Sequence, residues 1–313
     1  MACHTRGAMT HHVLPRCAAP LLVALALACM AAACQRSAPE GPQPLRIGAG
    51  STSEQQLLAA LTAELLERSG IATEIISELG GTVGVRTAAV AGEVDVIWDY
   101  SGAAWTLGLG LPAPAVDPQQ SFEAVAAEDI GSGLRWVAPS GIDARLAFFV
   151  REVDRPPDPE ATLTWLAARL GAQAGALCAD GGYLSSPAGY AYLADTYAIA
   201  TDIVTTVSAA EDEALESTAT GDCAAGLGTA TSGPARNRDL APMADDQGVF
   251  PALVAAPVVV IGGPAEDPAV IEQLTRLADA LDTVSLAELN ARVAEGGPID
   301  EVAGGYLDAA ALG

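Results

Sequence analysis

The chain has 313 residues, half of them hydrophobic, and a formal net charge of −24. It contains no lysine, and its three histidines all lie within the first 12 residues. If that segment is removed as a leader, the remaining chain lacks the residues for Ser-His-Asp or Cys-His catalysis, a Schiff-base or P-loop lysine and histidine-bound zinc, and its acidity argues against nucleic-acid binding.

The first predicted element is a signal peptide at residues 1–34. Two arginines precede the apolar run "APLLVALALACMAAAC", which is short for a bilayer span and ends in small residues at Cys34. A Pro-rich tether follows at 35–43. This layout is typical of a bacterial lipoprotein with Cys34 as the lipidated residue, Cys29 being a weaker alternative. An ordinary cleaved secretory peptide is the other interpretation, and both place the mature chain outside the cytoplasm, either anchored to the cell membrane or periplasmic.

Strand and helix patterns alternate after the tether. "LRIGAG" predicts a strand, and "STSEQQLLAALTAELLERSG" predicts a helix with Ser53 and Gln56 as a capping box and Gly70 as its end. "ATEIISEL" predicts a second strand, a helix beginning at Thr82 follows, and "VDVIWDY" predicts a third strand. This βαβαβ order indicates a parallel sheet covered by helices.

The same alternation recurs further along the chain. "RLAFFVR", "GALCAD", "IVTTVS" and "CAAGLGT" predict strands between helical stretches, and "ALVAAPVVVI" predicts a strand that changes domain. The end of the chain is mostly helical, with Asp267 as a cap before Pro268 and with Ser285 and Glu288 as a capping box.

Two cysteines, Cys178 and Cys223, lie in the body of the mature chain, beyond Cys34. An exported chain with an even number of cysteines can form a disulfide, whereas two buried thiols are the alternative.

A candidate binding site lies where the first and third predicted strands end. Ligands bind beyond the carboxyl ends of strands in open parallel sheets. The helix after Ser51 and Thr52 points its N-terminal amides there, which suits an anionic group. Trp98 and Tyr100, two apart on one strand, face one side and offer ring faces that suit an organic cation. The alternative interpretation is that both rings are packed in the core and do not contact a ligand.

Four segments of the sequence resemble the substrate-binding proteins of ABC importers for glycine betaine, choline and related osmoprotectants. They are "LRIGAGSTSEQQLL", "ELGGTVGVRTAAVAGEVDVIWDYSGAAW", "DLAPMADDQGVFPALVAAPVVV" and "LNARVAEGGPIDEVAGGYL". The resemblance implies an α/β, two-lobed, type II periplasmic-binding-protein-like fold, in which each lobe is a mostly parallel sheet flanked by helices. Lobe 1 is predicted at 44–143 plus 252–313 and lobe 2 at 144–251, joined by two hinge crossings.

The resemblance also implies a set of ligand-binding positions. Tyr100 matches a tyrosine of the family's aromatic box, beside Asp99 where the family has glutamate, whereas other box positions have lost their rings. Trp98 and Tyr183 are candidates to rebuild an aromatic wall, and Arg145 is a candidate clamp for a carboxylate, with a surface arginine as the alternative. The full predicted set is Ser51, Thr52, Thr82, Trp98, Asp99, Tyr100, Arg145, Leu146, Tyr183, Thr229 and Leu253.

The sequence therefore predicts an extracytoplasmic solute-binding component of an ABC importer, without catalysis, cofactor or metal. Its partners are a small solute, a permease with its ATPase, and the membrane through a lipid anchor. One alternative is the same fold binding a carboxylate-bearing or other polar solute. Alternatives from other classes are a sensory or scaffold domain and a carboxylate-only hydrolase, for which Asp95 and Asp99 would lie too far apart along one strand.

Overall fold

Two five-stranded sheets, each flanked by helices, form the architecture seen in a computed structural model of the chain. The structure describes residues 43–173 and 175–312; the predicted leader at 1–34, its Cys34 and nearly all of the tether lie outside that part. All elements below belong to one unit that begins at Pro44. No helix of the described residues combines the length and apolarity needed to cross a membrane.

The strands and helices alternate through most of the chain. The strands are β1 (Leu45–Gly48), β2 (Thr73–Ile76), β3 (Val96–Tyr100), β4 (Leu134–Trp136), β5 (Leu146–Arg151), β6 (Ala176–Ala179), β7 (Thr205–Ser208), β8 (Ala225–Thr229), β9 (Leu240–Pro242) and β10 (Ala255–Val260). The helices are α1 (Ser53–Arg68), α2 (Thr82–Val90), α3 (Ser101–Ala103), α4 (Pro118–Asp129), α5 (Leu163–Gln173), α6 (Gly181–Ser185), α7 (Tyr190–Thr196), α8 (Glu211–Thr220), α9 (Gly233–Asn237), α10 (Pro268–Ala280), α11 (Thr283–Ala294) and α12 (Ile299–Ala309). A π-helical turn, Ala104–Gly108, continues α3.

The first sheet has the order β2-β1-β3-β10-β4. The pairs β1–β2 and β1–β3 are parallel, which confirms the predicted βαβαβ unit. Strand β10 runs antiparallel to both of its neighbours and places Ala255 opposite Tyr100. The carboxyl ends of β1 and β3 therefore share one edge of this sheet.

The second sheet has the order β7-β6-β8-β5-β9. Strand β6 is parallel to β7 and β8, whereas β5 is antiparallel to β8 and places Leu146 opposite Thr229. We call the first sheet with its helices the first lobe and the second sheet with its helices the second lobe. The chain passes between them at 137–145 and at 243–254, and the predicted boundaries at 143/144 and 251/252 fall within these connections.

The starts of α1 and α11 differ by a few residues from the predicted capping boxes. The cap of α1 is Thr52 rather than Ser53, and its hydroxyl accepts the Gln55 backbone N–H. The cap of α11 is Asp282, and Ser285 reciprocates as the third helical residue rather than acting as the cap. Both stretches carry adjacent residues of capping type, so the sequence alone leaves the start ambiguous.

The C-terminal helices pack against α1 to complete the core of the first lobe. Leu57, Leu61, Leu286 and Leu307 are fully buried in one cluster. Burial of a leucine side chain contributes about 1.5–3 kcal/mol to the free energy of unfolding. The last residues of the chain are therefore part of the first lobe, although the second lobe and its connections, residues 137–254, precede them along the chain.

The two lobes also touch where α9 of the second lobe packs on α11 of the first. Asn237 Nδ2 donates to the Ala291 carbonyl at 3.0 Å, and Arg236 forms an ion pair with Glu288. A Cβ atom added at Gly233 would lie 2.3 Å from the Asn290 carbonyl carbon, so the two backbones meet directly there. Only glycine allows this approach without a shift of α9 or α11.

Cys178 and Cys223 form a disulfide in the second lobe. Their Cα atoms are 6.0 Å apart, within the range that a disulfide spans, and both residues are buried. The bond links β6 to the segment that enters the adjacent strand, β8. It therefore crosslinks two neighbouring strands of the second sheet near the amino end of β8.

Candidate functional site

A cavity of about 360 Å³ is lined by residues of both lobes. The first lobe contributes Thr52, Ser53, Glu54, Asn290 and Ala294, and the second contributes Glu211, Thr229, Thr231, Ser232, Gly233 and Pro234. Thr52 caps the helix after β1, and Thr229 is the last residue of β8. The cavity thus lies at the carboxyl ends of strands in both sheets, where open α/β sheets bind their ligands.

A hydrogen-bond network joins the floor of this cavity to both lobes. The Tyr100 hydroxyl donates to Glu54 Oε1, and Asn290 Nδ2 donates to Glu54 Oε2 at 2.7 Å. The same Asn290 nitrogen donates to the Thr231 carbonyl of the second lobe at 2.9 Å. Since carboxylate and carbonyl oxygens are acceptors only, these two contacts fix the orientation of the Asn290 amide. Glu54 is therefore held in place from two sides.

Tyr100 supports the cavity from below rather than offering its ring to it. The residue is 8% exposed and packs in the core of the first lobe. Burial, with a further contribution from the charge of Glu54, raises the pKa of Tyr100 well above its ordinary value. The phenol therefore stays protonated and serves as a permanent donor to Glu54.

The cavity carries two carboxylates and no cationic side chain in its lining. Glu211 Oε1 accepts from the Thr229 backbone N–H and hydroxyl, both at 3.3 Å. Among residues 43–173 and 175–312, neither Glu54 nor Glu211 takes part in an ion pair. Two unpaired carboxylates in one recess create a negative potential that attracts a cation.

Residues 43–309 match the family model described as the substrate binding domain of ABC-type glycine betaine transport systems. The chain belongs to this family. It is therefore a substrate-binding protein of ABC transporters and not an enzyme. Substrate-binding proteins of ABC importers work outside the cytoplasm, together with a small solute and the membrane components of the transporter.

Individual relatives agree with this assignment. The binding protein is 27% identical to the glycine betaine-binding protein YehZ of Escherichia coli over 286 residues, covering 86% of this chain and 91% of YehZ. It is 29% identical to a glycine-betaine-binding protein of Pseudomonas aeruginosa over 110 residues, which is 35% of each chain. The structure of apo YehZ from E. coli superposes with a TM-score of 0.77 at 24% identity, over 87% of this chain and 100% of YehZ. These similarities confirm the predicted family and the two-lobed fold.

Three of the predicted ligand positions lie at or next to the cavity. Thr52 and Thr229 line it from opposite lobes. Tyr100 is one hydrogen bond away through Glu54. The pattern of strand ends that suggested these positions is also what brings them together, because the ends of β1, β3 and β8 all face the space between the lobes.

Trp98, predicted as part of an aromatic ligand wall, is a core residue of the binding protein and lies outside the cavity lining. It does face the same side of β3 as Tyr100, but that side packs against α1 and is only 4% exposed at Trp98. Its indole N–H donates to the buried Thr62 hydroxyl at 2.9 Å. A tryptophan with a satisfied N–H inside the core has no face left for a solute.

Asp99, also predicted as a ligand contact, lies outside the cavity lining and pairs with Arg86. Its carboxylate accepts from Arg86 Nη1 at 3.1 Å and from the Tyr100 backbone N–H at 2.8 Å. Burial raises the pKa of Asp99 to about 6, although the Tyr100 N–H and the Arg86 charge oppose this shift. The residue anchors β3 to the helices on the other face of the sheet.

This raised pKa gives a testable pH dependence of stability. Between the unfolded pKa of about 4 and the native value of about 6, the native carboxyl binds a proton that the unfolded chain releases. Stability from Asp99 is therefore fully present below pH 4 and is lost as the pH rises through 6. When the pH is lowered from 7.5 to 4.5, the free energy of unfolding of the wild type, measured with urea, should rise by about 2 kcal/mol relative to that of Asp99→Asn. The other titrating groups are present in both proteins, so their effects cancel in the comparison. A difference in free energy of unfolding between the two proteins that does not change with pH would contradict this assignment.

Arg145 lies in a separate recess beside the first crossing, and the structure does not support the predicted carboxylate clamp. Its Nε donates to Asp143 Oδ2 at 2.8 Å, and its Nη2 donates to the Val116 carbonyl at 2.9 Å. Leu146 lines the same recess. The guanidinium is thus committed to holding the crossing, so it is not free to bind a solute carboxylate in the cavity between the lobes.

The remaining predicted positions are not brought to the cavity lining. Tyr183 packs against Phe148 and Phe250 within the second lobe, with ring centroids 6.3 and 6.2 Å away. Burial, with a contribution from Asp245, raises the pKa of Tyr183 above its ordinary value. Ser51 lies in the loop after β1, and Thr82 is the first residue of α2. Leu253 packs at the edge of the first-lobe core.

The sequence did not identify the three polar residues that dominate the cavity: Glu54, Glu211 and Asn290. Glu54 follows the Thr52 cap within the first turn of α1, and Glu211 opens α8 just after β7. Acidic residues in these positions are common because they stabilise a helix start, so nothing local marks them as residues of a cavity. Asn290 lies 236 residues from Glu54, a pairing that no sequence spacing predicts.

Proposed function

We propose that this binding protein is the receptor of an ABC importer for a small solute with a quaternary ammonium group, such as choline, glycine betaine or carnitine. The observation that carries the proposal is the cavity between the lobes with Glu54 and Glu211 in its lining and no cationic side chain. A solute that touches both lobes stabilises the closed arrangement and so presents a distinct shape to the membrane permease.

The cavity would hold the cationic group by charge rather than by aromatic rings. Its lining contains no aromatic side chain, in agreement with the loss of box tyrosines in the sequence. A quaternary ammonium has no N–H to donate, so it needs negative potential rather than a directed acceptor. The carboxylates of Glu54 and Glu211 supply that potential from opposite lobes.

The same chemistry disfavours the alternative of an anionic solute. Such a solute would bring its own carboxylate next to two others, while the one arginine of the predicted set, Arg145, is paired with Asp143. A scaffold without a ligand is disfavoured by the open recess between the lobes. The finer assignments, a lipid anchor at Cys34 and delivery to a particular permease, remain part of the proposal.

A thermal-shift series tests the proposed solute class. Choline, glycine betaine and carnitine should each be compared with glutamate as an anionic probe, using the purified mature chain. At a free solute concentration one hundred times Kd, binding adds about 2.7 kcal/mol to the free energy of unfolding, which is a readily measured shift in Tm. At least one of the three ammonium solutes should stabilise the protein, and glutamate should not.

The Glu54→Gln variant tests the location, and Glu64→Gln is its control. Both residues lie on α1, but Glu64 is absent from the cavity lining and pairs with Arg68. We expect Glu54→Gln to weaken the response and Glu64→Gln to leave it intact. Stabilisation by glutamate alone, or an equal response in both variants, would refute the proposed site.

A further inference from the structure

The cavity between the lobes allows the solute class to be narrowed. We propose that it selects an organic cation that lacks a carboxylate, of the choline type, over a zwitterion of the glycine betaine type. This inference rests on the proposed function of the same cavity. The two solute types share a trimethylammonium group and differ in whether the other end is a hydroxyl or a carboxylate.

The charge balance of the lining is the first observation. Glu54 and Glu211 supply two negative charges, and the lining contains no arginine to balance them. A solute with a net positive charge gains from both carboxylates, whereas the carboxylate of a zwitterion is repelled by them inside the same recess. The lining therefore favours a solute with a net charge of +1 over a solute with a net charge of zero.

The state of Asn290 is a second, independent observation. Asn290 lines the cavity and is 9% exposed, and its amide nitrogen is fully committed to Glu54 and Thr231. Its Oδ1 atom is buried and accepts no hydrogen bond from any described residue. The unpaired oxygen adds one more acceptor to the two carboxylates of this wall, so a solute carboxylate finds a surplus of acceptors there.

Some of the groups that would normally hold a solute carboxylate are already occupied. At the start of α1 the Thr52 hydroxyl accepts the Gln55 N–H, and Glu54 in the first turn neutralises the positive end of the helix. At the start of α9 the Ser232 hydroxyl accepts the Ala235 N–H at 3.4 Å. At each of these helix starts one backbone amide is therefore unavailable to a solute carboxylate, and at α1 the charge of Glu54 opposes such a group.

Isothermal titration of the mature chain with choline and with glycine betaine tests the inference directly, because the two probes are matched at the ammonium end. We expect choline to bind at least about tenfold more tightly, and its affinity to fall as salt is added. In Glu54→Gln and in Glu211→Gln the preference for choline should shrink, whereas Glu64→Gln should keep it. Thermal unfolding of each variant checks that it is folded, and the two cavity variants test the charge effect independently.

Each outcome has a separate meaning. If choline binds more tightly and the ratio shrinks in the cavity variants, the inference holds. Equal or tighter binding of glycine betaine would overturn the inference while leaving the proposed function in place. Failure of both probes and of carnitine to bind would overturn the proposed function itself. A choline preference that is unchanged in both cavity variants would show that Glu54 and Glu211 are not its source.

Discussion

Replacement of Arg86 by methionine is expected to lower the free energy of unfolding by about 3–5 kcal/mol, the range for breaking a buried ion pair from one side. Arg86 Nη1 donates to Asp99 Oδ2 at 3.1 Å and to Asp129 Oδ2 at 2.8 Å, and its Nη2 forms a second bond to Asp129. All three side chains are at least 93% buried. The variant would leave two carboxylates in the interior without a cation.

The surroundings of Arg86 show how specifically the side chain is accommodated. Asp129 also accepts the Trp136 indole N–H at 2.8 Å, so the network joins α2, β3, α4 and β4. A Cβ atom at Gly108 would lie 2.2 Å from Arg86 Nε, so the glycine leaves the space through which the guanidinium passes. The arginine thereby fixes Asp99 and, next to it, the Tyr100 that supports the cavity.

Urea unfolding of Arg86→Met should be measured beside Arg151→Met as a control. Arg151 pairs with Asp154 at 2.6 Å, but its side chain is 42% exposed, and such a pair contributes about 0–1 kcal/mol. The double variant Arg86→Met, Asp129→Asn should recover part of the loss because it removes one unpaired charge. A loss in Arg86→Met no larger than in Arg151→Met would contradict the role assigned to the buried network.

Removal of the Cys178–Cys223 disulfide is the second large expected effect. The bond closes a loop with a sequence separation of 45 residues. The loop-entropy relation gives about 4 kcal/mol for a loop of this length, within the usual range of about 2–5 kcal/mol for a native disulfide. Replacing both cysteines by alanine should therefore lower the urea midpoint without changing the fold.

The reduced wild type provides the control for that double variant. Under reducing conditions the wild type should lose a comparable free energy, whereas the double variant should be insensitive to reductant. Solute binding by the double variant, measured at a temperature where it is folded, should persist because neither cysteine lines the cavity. A double variant as stable as the oxidised wild type would show that the bond adds nothing to stability.

Most of the fold was predictable because its signals are local. The alternation of strand and helix patterns predicted the parallel core of the first sheet, and Asp267 with Pro268 marked the start of α10 correctly. The resemblance to the family added the division into two lobes, which neither composition nor periodicity contains. Capping residues were misplaced only where several candidates are adjacent, as at Thr52 and Ser53.

The site was less predictable because its contacts are long-range. Residues two apart on a strand share a side, so Trp98 and Tyr100 were correctly paired, but periodicity does not tell whether that side faces solute or core. Arg86 reaches Asp99 and Asp129 from another helix, and Asn290 reaches Glu54 from the far end of the chain. Such partners are defined only once the elements have packed.

The direct backbone contact at Gly233 has a practical consequence. Because a single added carbon would collide with Asn290, a bulky side chain at this position acts as a steric wedge between α9 and α11. A Gly233→Leu protein would therefore serve as a reference for a binding sensor built on this scaffold, because it keeps both carboxylates of the cavity while the close approach of α9 to α11 is blocked.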